Sequence, residues 1–253
     1  MPSISETGHA KNVANFLDLI TFCKGYGGNY NPSKTAIQIA QLDALYNDAK
    51  NSVTEVTNQN TAFNNVVNAR VNLFKDNKQL ATRLTNAFDT TDASDEAKNN
   101  VKSFNRKLQG KRASKAPSPL QKAGGEVTPA DLNTPAPKTI SSSQQSYDQQ
   151  IEHLSGLVSA LASEPSYKPN ETGLQVGTIN KLIDNQTKSN ADVATAYTAV
   201  SNARITRDKY LYDKKKGLYD TSLEVKKYVK SVFGTTSPEY KQVNGIKFSE
   251  RKA

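Results

Sequence analysis

The stretch SKTAIQIAQLDALYNDAKNSVTEVTNQNTAFNNVVNARVNLFKDNKQLATRLTNAFDTTDASDEAKNNVKSFNRKLQ, Ser33–Gln109, runs for 77 residues without a glycine or a proline. Those two residue types are the strongest punctuators of local structure. Their absence over such a length, with apolar side chains at helical spacing, decides the fold class in favour of helix. Ile37, Leu45, Ala49, Val53, Val56, Phe63, Val67, Phe74, Leu84 and Phe88 recur mostly by threes and fours and trace one stripe. Ser33 is placed to cap the first turn. A helix from Thr35 to Phe88 would extend about 80 Å at the α-helical rise.

Working outward, Val13, Phe16, Leu17, Ile20 and Cys23 share one face of an earlier helix, expected over Ser5–Lys24 and stopped by Gly25. The glycine-rich segment Gly25–Pro32 is a turn. After the long helix, Asp89–Ser94 is rich in capping residues and poor helix formers, so a turn is expected there. A further helix starts near Ser94, with Asp95 and Glu96 in its positive first turn and Ala97, Val101, Phe104 and Leu108 on its apolar face.

Composition changes at Gln109. Through residue 144 the chain carries five prolines, three glycines and almost no large apolar side chain, which reads as a linker. Helical pattern resumes at Gln145 with Tyr147, Ile151, Leu154, Leu157, Val158 and Leu161. A turn over Ser163–Asn170 then precedes a second long helix, expected from Thr172 to Phe233 with Gly217 tolerated inside it. Gly234 ends that helix, and Ser237-Pro238-Glu239 opens a short last one; Lys247, Arg251 and Lys252 read as a frayed end.

The halves share an ordered set of matches. Tyr30, Pro32, Thr35, Gln38 and Leu45 correspond to Tyr167, Pro169, Thr172, Gln175 and Leu182; Asn68-Ala69-Arg70 corresponds to Asn202-Ala203-Arg204; Phe88, Thr90 and Thr91 correspond to Phe233, Thr235 and Thr236. Because turn residues outside the periodic stripe take part, the matches read as a duplication. The expected fold is therefore all-α: an elongated antiparallel helical bundle of two pseudo-repeats, residues 1–108 and 145–253, joined by the linker 109–144. Each repeat would be a short helix, a long helix and a short helix, coiled-coil-like along its length.

Charge and composition bound the function. The mean hydropathy of −0.67 and apolar fraction of 36% suit long helices with narrow buried stripes. Net charge is +9, compatible with anionic partners without requiring them. Cys23 is the single cysteine, so no intrachain disulfide can form. No run approaches the ~20 apolar residues needed to span a bilayer; Leu154–Ala162 is the most apolar short segment and falls well short. Nothing at the N-terminus reads as a leader, and a cytoplasmic protein is expected.

Signals for catalysis are weak. His9 and His153 belong to no metal-spaced cluster, and Cys23 reads as a small apolar core residue. The glycine turn before Ser33-Lys34-Thr35 superficially resembles a phosphate loop, but no glycine directly precedes the lysine and the turn follows a helix, not a strand. No enzyme, catalytic residue, cofactor or metal is expected. One electrostatic feature stands out: Arg204, Arg207, Lys209, Lys214, Lys215, Lys216, Lys226, Lys227 and Lys230 face four acids over Arg204–Lys230, interleaved with tyrosines. This is a candidate anion-binding face for nucleic acid or another anionic surface. The plainer alternative is a solvated helix face with tyrosines bridging core and water.

The C-terminal run Val232–Phe248, VFGTTSPEYKQVNGIKF, with the helix before it, resembles a recurring ending in bacterial helical proteins to which no activity is attached. The resemblance covers about the last quarter of the chain. It implies an all-helical fold and a bacterial source, and carries no functional residue. Taken together, the residues point to a non-enzymatic structural or interaction protein, an elongated scaffold or self-assembling subunit whose partner is a second copy of itself in a homo-oligomer or filament. The alternative is a basic helical protein acting through the Arg204–Lys230 face.

Overall fold

The computed structural model describes residues 8–110 and 145–250; the expected linker lies outside them except for Gln109 and Gly110. Among the described residues the protein is all-α, with no strand. The helices are α1 (His9–Gly25), α2 (Ile39–Phe74), α3 (Asn77–Asp89), α4 (Asp95–Leu108), α5 (Tyr147–Ala162), α6 (Val176–Tyr212), α7 (Leu218–Phe233) and α8 (Pro238–Gly245). Single 3₁₀ turns at Thr35–Ile37 and Thr172–Leu174 precede the two long helices. Serine N-caps stand at Ser94 and Ser237, where the sequence put helix starts, and at Ser146, which the sequence reading did not single out; each accepts a hydrogen bond from the backbone N–H three residues on.

Both long helices are shorter than expected. The helix begins at Ile39 because Gln38 is extended (ψ 149°), so Ser33 caps nothing. It then ends at Phe74, and α3 restarts after Asp76. The break is held by buried polar groups: the Gln186 amide donates to the carbonyl of Leu73 at 3.2 Å and to Asn77 Oδ1 at 2.7 Å, and Asn77 donates to Gln150 at 3.3 Å. A last-turn carbonyl of α2 thus finds a side-chain donor in place of an intrahelical one.

The second long helix is also cut, at Asp213–Gly217. Lys215 sits at φ 70°, a conformation that costs an L-residue roughly 1–2 kcal/mol, and the Gly217 N–H closes the turn on the Asp213 carbonyl at 2.7 Å. A Cβ on Gly217 would lie 2.6 Å from the Asp213 nitrogen and 2.8 Å from its carbonyl oxygen, so glycine is required there by backbone proximity. It precedes the first turn of α7 and is not a tolerated mid-helix residue.

The described residues form two compact units. One comprises the chain up to Asn65 and from Ala194 onward; the other is Val66–Val193. Each unit draws on both sequence halves. In the first, Phe16, Leu19 and Ile20 of α1 and Leu42 of α2 are buried with Leu211, Leu218, Val225, Val229 and Val243. In the second, Leu84 and Phe88 of α3 and Val101 and Leu108 of α4 are buried with Leu154, Leu157, Leu161 and Ile179.

The corner before each long helix is built the same way. Tyr30 Oη donates to the Ile37 carbonyl at 2.7 Å, and Tyr167 Oη donates to the Leu174 carbonyl at 2.8 Å. The amides of Gln38 and Gln175 reach back to the carbonyls of Pro32 and Pro169 at 3.3 and 3.5 Å. A buried phenol here replaces a helical N–H as the donor for the carbonyl that ends the 3₁₀ turn.

Candidate functional site

The nine basic residues of the candidate anion-binding face lie on α6, on α7 and on the turn between them, not on one continuous helix. Several are already engaged. Arg204 Nη2 donates to Asn60 Oδ1 at 3.3 Å, and Arg207 forms a pair with Asp208, Nε at 3.0 Å and Nη2 at 2.7 Å from one carboxylate oxygen. That pair is largely buried, each side chain 14% exposed.

Lys226 is half-buried, donates to the Ile246 carbonyl and lies over the Phe248 ring at 5.1 Å; burial and then Lys247 depress its pKa. Lys230 rests over Tyr240 at 5.8 Å. Lys209, Lys214, Lys215, Lys216 and Lys227 are exposed. Three of the four interleaved tyrosines are used internally: Tyr210, Tyr212 and Tyr228 pack against the core of the first unit, and Tyr228 meets Tyr30 edge-on at 5.2 Å between centroids. A base-stacking platform needs exposed rings; these three are committed to packing.

A cavity of about 310 Å³ lies in the same unit, lined by Gly8–Lys11 at the start of α1, by Val53, Val56 and Thr57 of α2, and by Arg207. Its ionisable walls are His9, whose Nδ1 lies 2.9 Å from Tyr212 Oη, Lys11, and the Arg207 already paired with Asp208. These lining residues offer cations and apolar surface, and none is a carboxylate, a thiol or a serine.

The remaining candidates are held as structural groups. Cys23 is 1% exposed, and burial pushes its thiol up to about 12, so it carries no thiolate at neutral pH. His153 is 5% exposed; burial and then Lys107 lower its pKa, which keeps the ring neutral. Among the described residues no group of three or more His, Cys, Asp or Glu could hold a metal ion, and no helix is long and apolar enough to cross a membrane. Asp95 and Glu96 occupy the first turn of α4, where Glu96 is held below the usual carboxylate range by its own backbone N–H and by Ser94.

Two polar residues were not singled out from the sequence. Asn12, 1% exposed, donates to the carbonyl of Ser249 at 2.8 Å and accepts from the Ser249 N–H at 2.9 Å, while Asn15 donates to the Lys247 carbonyl at 2.6 Å. Of the residues expected to fray, Lys247 is pinned to α1, as is Ser249, because an amide side chain supplies both halves of a strand-like pairing, while Arg251 and Lys252 lie outside the described residues. Gln186, fully buried, holds the break after α2. The signal for both was a polar side chain on an otherwise apolar helical stripe, Asn12 one turn before Phe16 and Gln186 one turn after Leu182. Comparison with known proteins returned no matching family model, no matching curated protein and no matching solved structure.

Proposed function

We infer that the chain is a non-enzymatic structural or interaction protein, a helical scaffold or self-assembling subunit derived by duplication of one helical unit. The observation that carries this reading is how the interior polar groups are used. Tyr30, Tyr167, Asn12 and Gln186 all bond to backbone groups and so fix helix ends and a chain terminus, and none converges with a second reactive group on a cavity. A protein whose buried chemistry is devoted to positioning helices offers surfaces to partners. The two corners, with the same phenol-to-carbonyl and amide-to-carbonyl bonds, support the duplication. Sedimentation velocity of the purified full chain from a few to several hundred micromolar tests self-assembly; a single monomeric species throughout removes it.

One observation favours a second reading. Lys214, Lys215 and Lys216 are consecutive and exposed in the turn before α7, a local concentration of positive charge. An anionic polymer held there would be released steeply as salt rises, because its counterions are recovered. Retention of duplex or single-stranded DNA at 50 mM salt that is lost on mutating the three lysines supports this reading, and no retention at 50 mM removes it.

A further inference from the structure

Beyond α8 the chain of the first unit turns extended. Ile246 has φ −71° and ψ 122°, and Ile246, Lys247 and Phe248 run half-buried, exposed, half-buried, the two-residue period of an extended segment. Ile246 and Phe248 pack against the first core. The backbone between them is held by helix side chains. Lys226 of α7 donates to the Ile246 carbonyl, with its ammonium 5.1 Å from the centre of the Phe248 ring. From α1, Asn15 donates to the Lys247 carbonyl at 2.6 Å, and Asn12 donates to the Ser249 carbonyl at 2.8 Å and accepts from the Ser249 N–H at 2.9 Å.

This is how an extended peptide is bound. Asn12 presents one donor and one acceptor to the N–H and C=O of a single residue, the pairing that a neighbouring strand would offer. Three side chains read backbone, and two apolar positions spaced by two read sequence. These four hydrogen bonds run between the segment and the helix surface, so an identical segment from another molecule makes them unaltered.

We propose that the groove formed by α1 and α7 takes Ile246–Ser249 of a second copy in exchange for the chain's own; the proposal rests on the self-assembly reading above and names the contact. The occupant follows from what the groove holds: its ligand is this sequence, and every copy carries both halves. The segment is separable from α8, which is anchored by the fully buried Val243 and by Tyr26 Oη donating to the Glu239 carbonyl at 3.0 Å. Its pivot is Asn244-Gly245, both exposed, with open space where a Cβ on Gly245 would stand. A vacated groove leaves the Oδ1 of Asn12, a residue 1% exposed, without its donor, which favours refilling by another extended chain.

A tethered segment competes at an effective concentration on the order of 1 mM, so exchange grows as the chain concentration approaches that range. Reciprocal exchange closes a dimer. One-way donation leaves a groove at one end and a segment at the other, and propagates.

The test mixes two full-length variants. Asn12→Ala with Asn15→Ala keeps the segment and loses the amides of the groove; Ile246→Ser with Phe248→Ser keeps the groove and loses the anchors. Circular dichroism verifies that each is folded. Sedimentation velocity from 5 to 500 µM should show self-association by the natural sequence, weakened at least tenfold in each variant alone and restored when the two are mixed in equal amounts and equilibrated overnight. If a variant does not fold, a fluorescein-labelled peptide of residues 243–250 decides. It should bind the full chain carrying Phe248→Ser alone at least threefold more tightly than the natural sequence, whose own segment competes. Equal binding, or none up to 2 mM peptide, overturns the proposal. Association undiminished in the folded variants, or lost in both and not restored by mixing, also overturns it and leaves the self-assembly reading standing. A natural sequence that stays monomeric at 500 µM overturns both.

Discussion

Gly156, in the middle of α5, sets two opposed effects against each other. Replacing a mid-helix glycine by alanine ordinarily stabilises by about 1 kcal/mol, because the unfolded chain loses conformational freedom and the helix gains a good former. Here α5 crosses α4, and a Cβ on residue 156 would lie 2.4 Å from Phe104 Cε1, 2.7 Å from Cζ and 3.0 Å from Cδ1. The ring belongs to a half-buried side chain that packs on the second core, with the Lys107 ammonium over it at 5.3 Å. It must swing outward, surrendering that packing, and overpacking of this kind costs ~1–3 kcal/mol. The steric loss exceeds the propensity gain, so Gly156→Ala is expected to destabilise by about 1 kcal/mol net. Urea unfolding followed by circular dichroism reads this as a lower midpoint at unchanged slope for the transition of the second unit. In a Phe104→Leu background, whose side chain has no ring at that position, the same substitution should turn neutral or stabilising. If Gly156→Ala raises stability by about 1 kcal/mol in both backgrounds, the inferred close approach of α4 and α5 is refuted.

Three further perturbations follow from the same reasoning. At the break before α7, Gly217→Ala places its methyl group against fixed backbone of Asp213, with no side chain able to give way, and should lower stability by ~2 kcal/mol or more; Lys215→Gly relieves the positive φ and should raise it by about 1 kcal/mol, both read in urea melts. Tyr30→Phe and Tyr167→Phe each leave a buried carbonyl, of Ile37 or Leu174, without its donor and should each cost ~1–3 kcal/mol; the two losses should add, since the residues share no partner, and strong non-additivity in the double variant would contradict the assignment. The folded-state pKa of His153 is depressed, so above the ordinary histidine value near 6.5 both folded and unfolded states are neutral and no stability is at stake. As pH falls through about 6.5 toward the lower folded value the unfolded chain takes up the proton first, and stability is lost over that window. His153→Gln should show a smaller loss between pH 7.5 and 5.5, and identical slopes for the two proteins would refute a buried neutral ring.

The all-α class and the helix starts at Ser94 and Ser237 were legible because they are local. A period of three to four in apolar residues and a hydroxyl before an acidic first turn need no knowledge of what packs where. The two long helices were overread because a helix can end without a glycine or a proline. Residues Lys75 and Asp76 carry no breaker, and the chain turns there because Gln186, more than a hundred positions away, presents a donor to the Leu73 carbonyl. At the other break the breaker was present and misassigned. Gly217 looked affordable inside a helix, and what it serves is an approach of backbone to backbone that no sequence window displays.

The basic run was legible as a count of charges and illegible as a surface. Burial of Lys226, burial of the sequence-adjacent Arg207–Asp208 pair and the commitment of Tyr210, Tyr212 and Tyr228 to the core are tertiary facts.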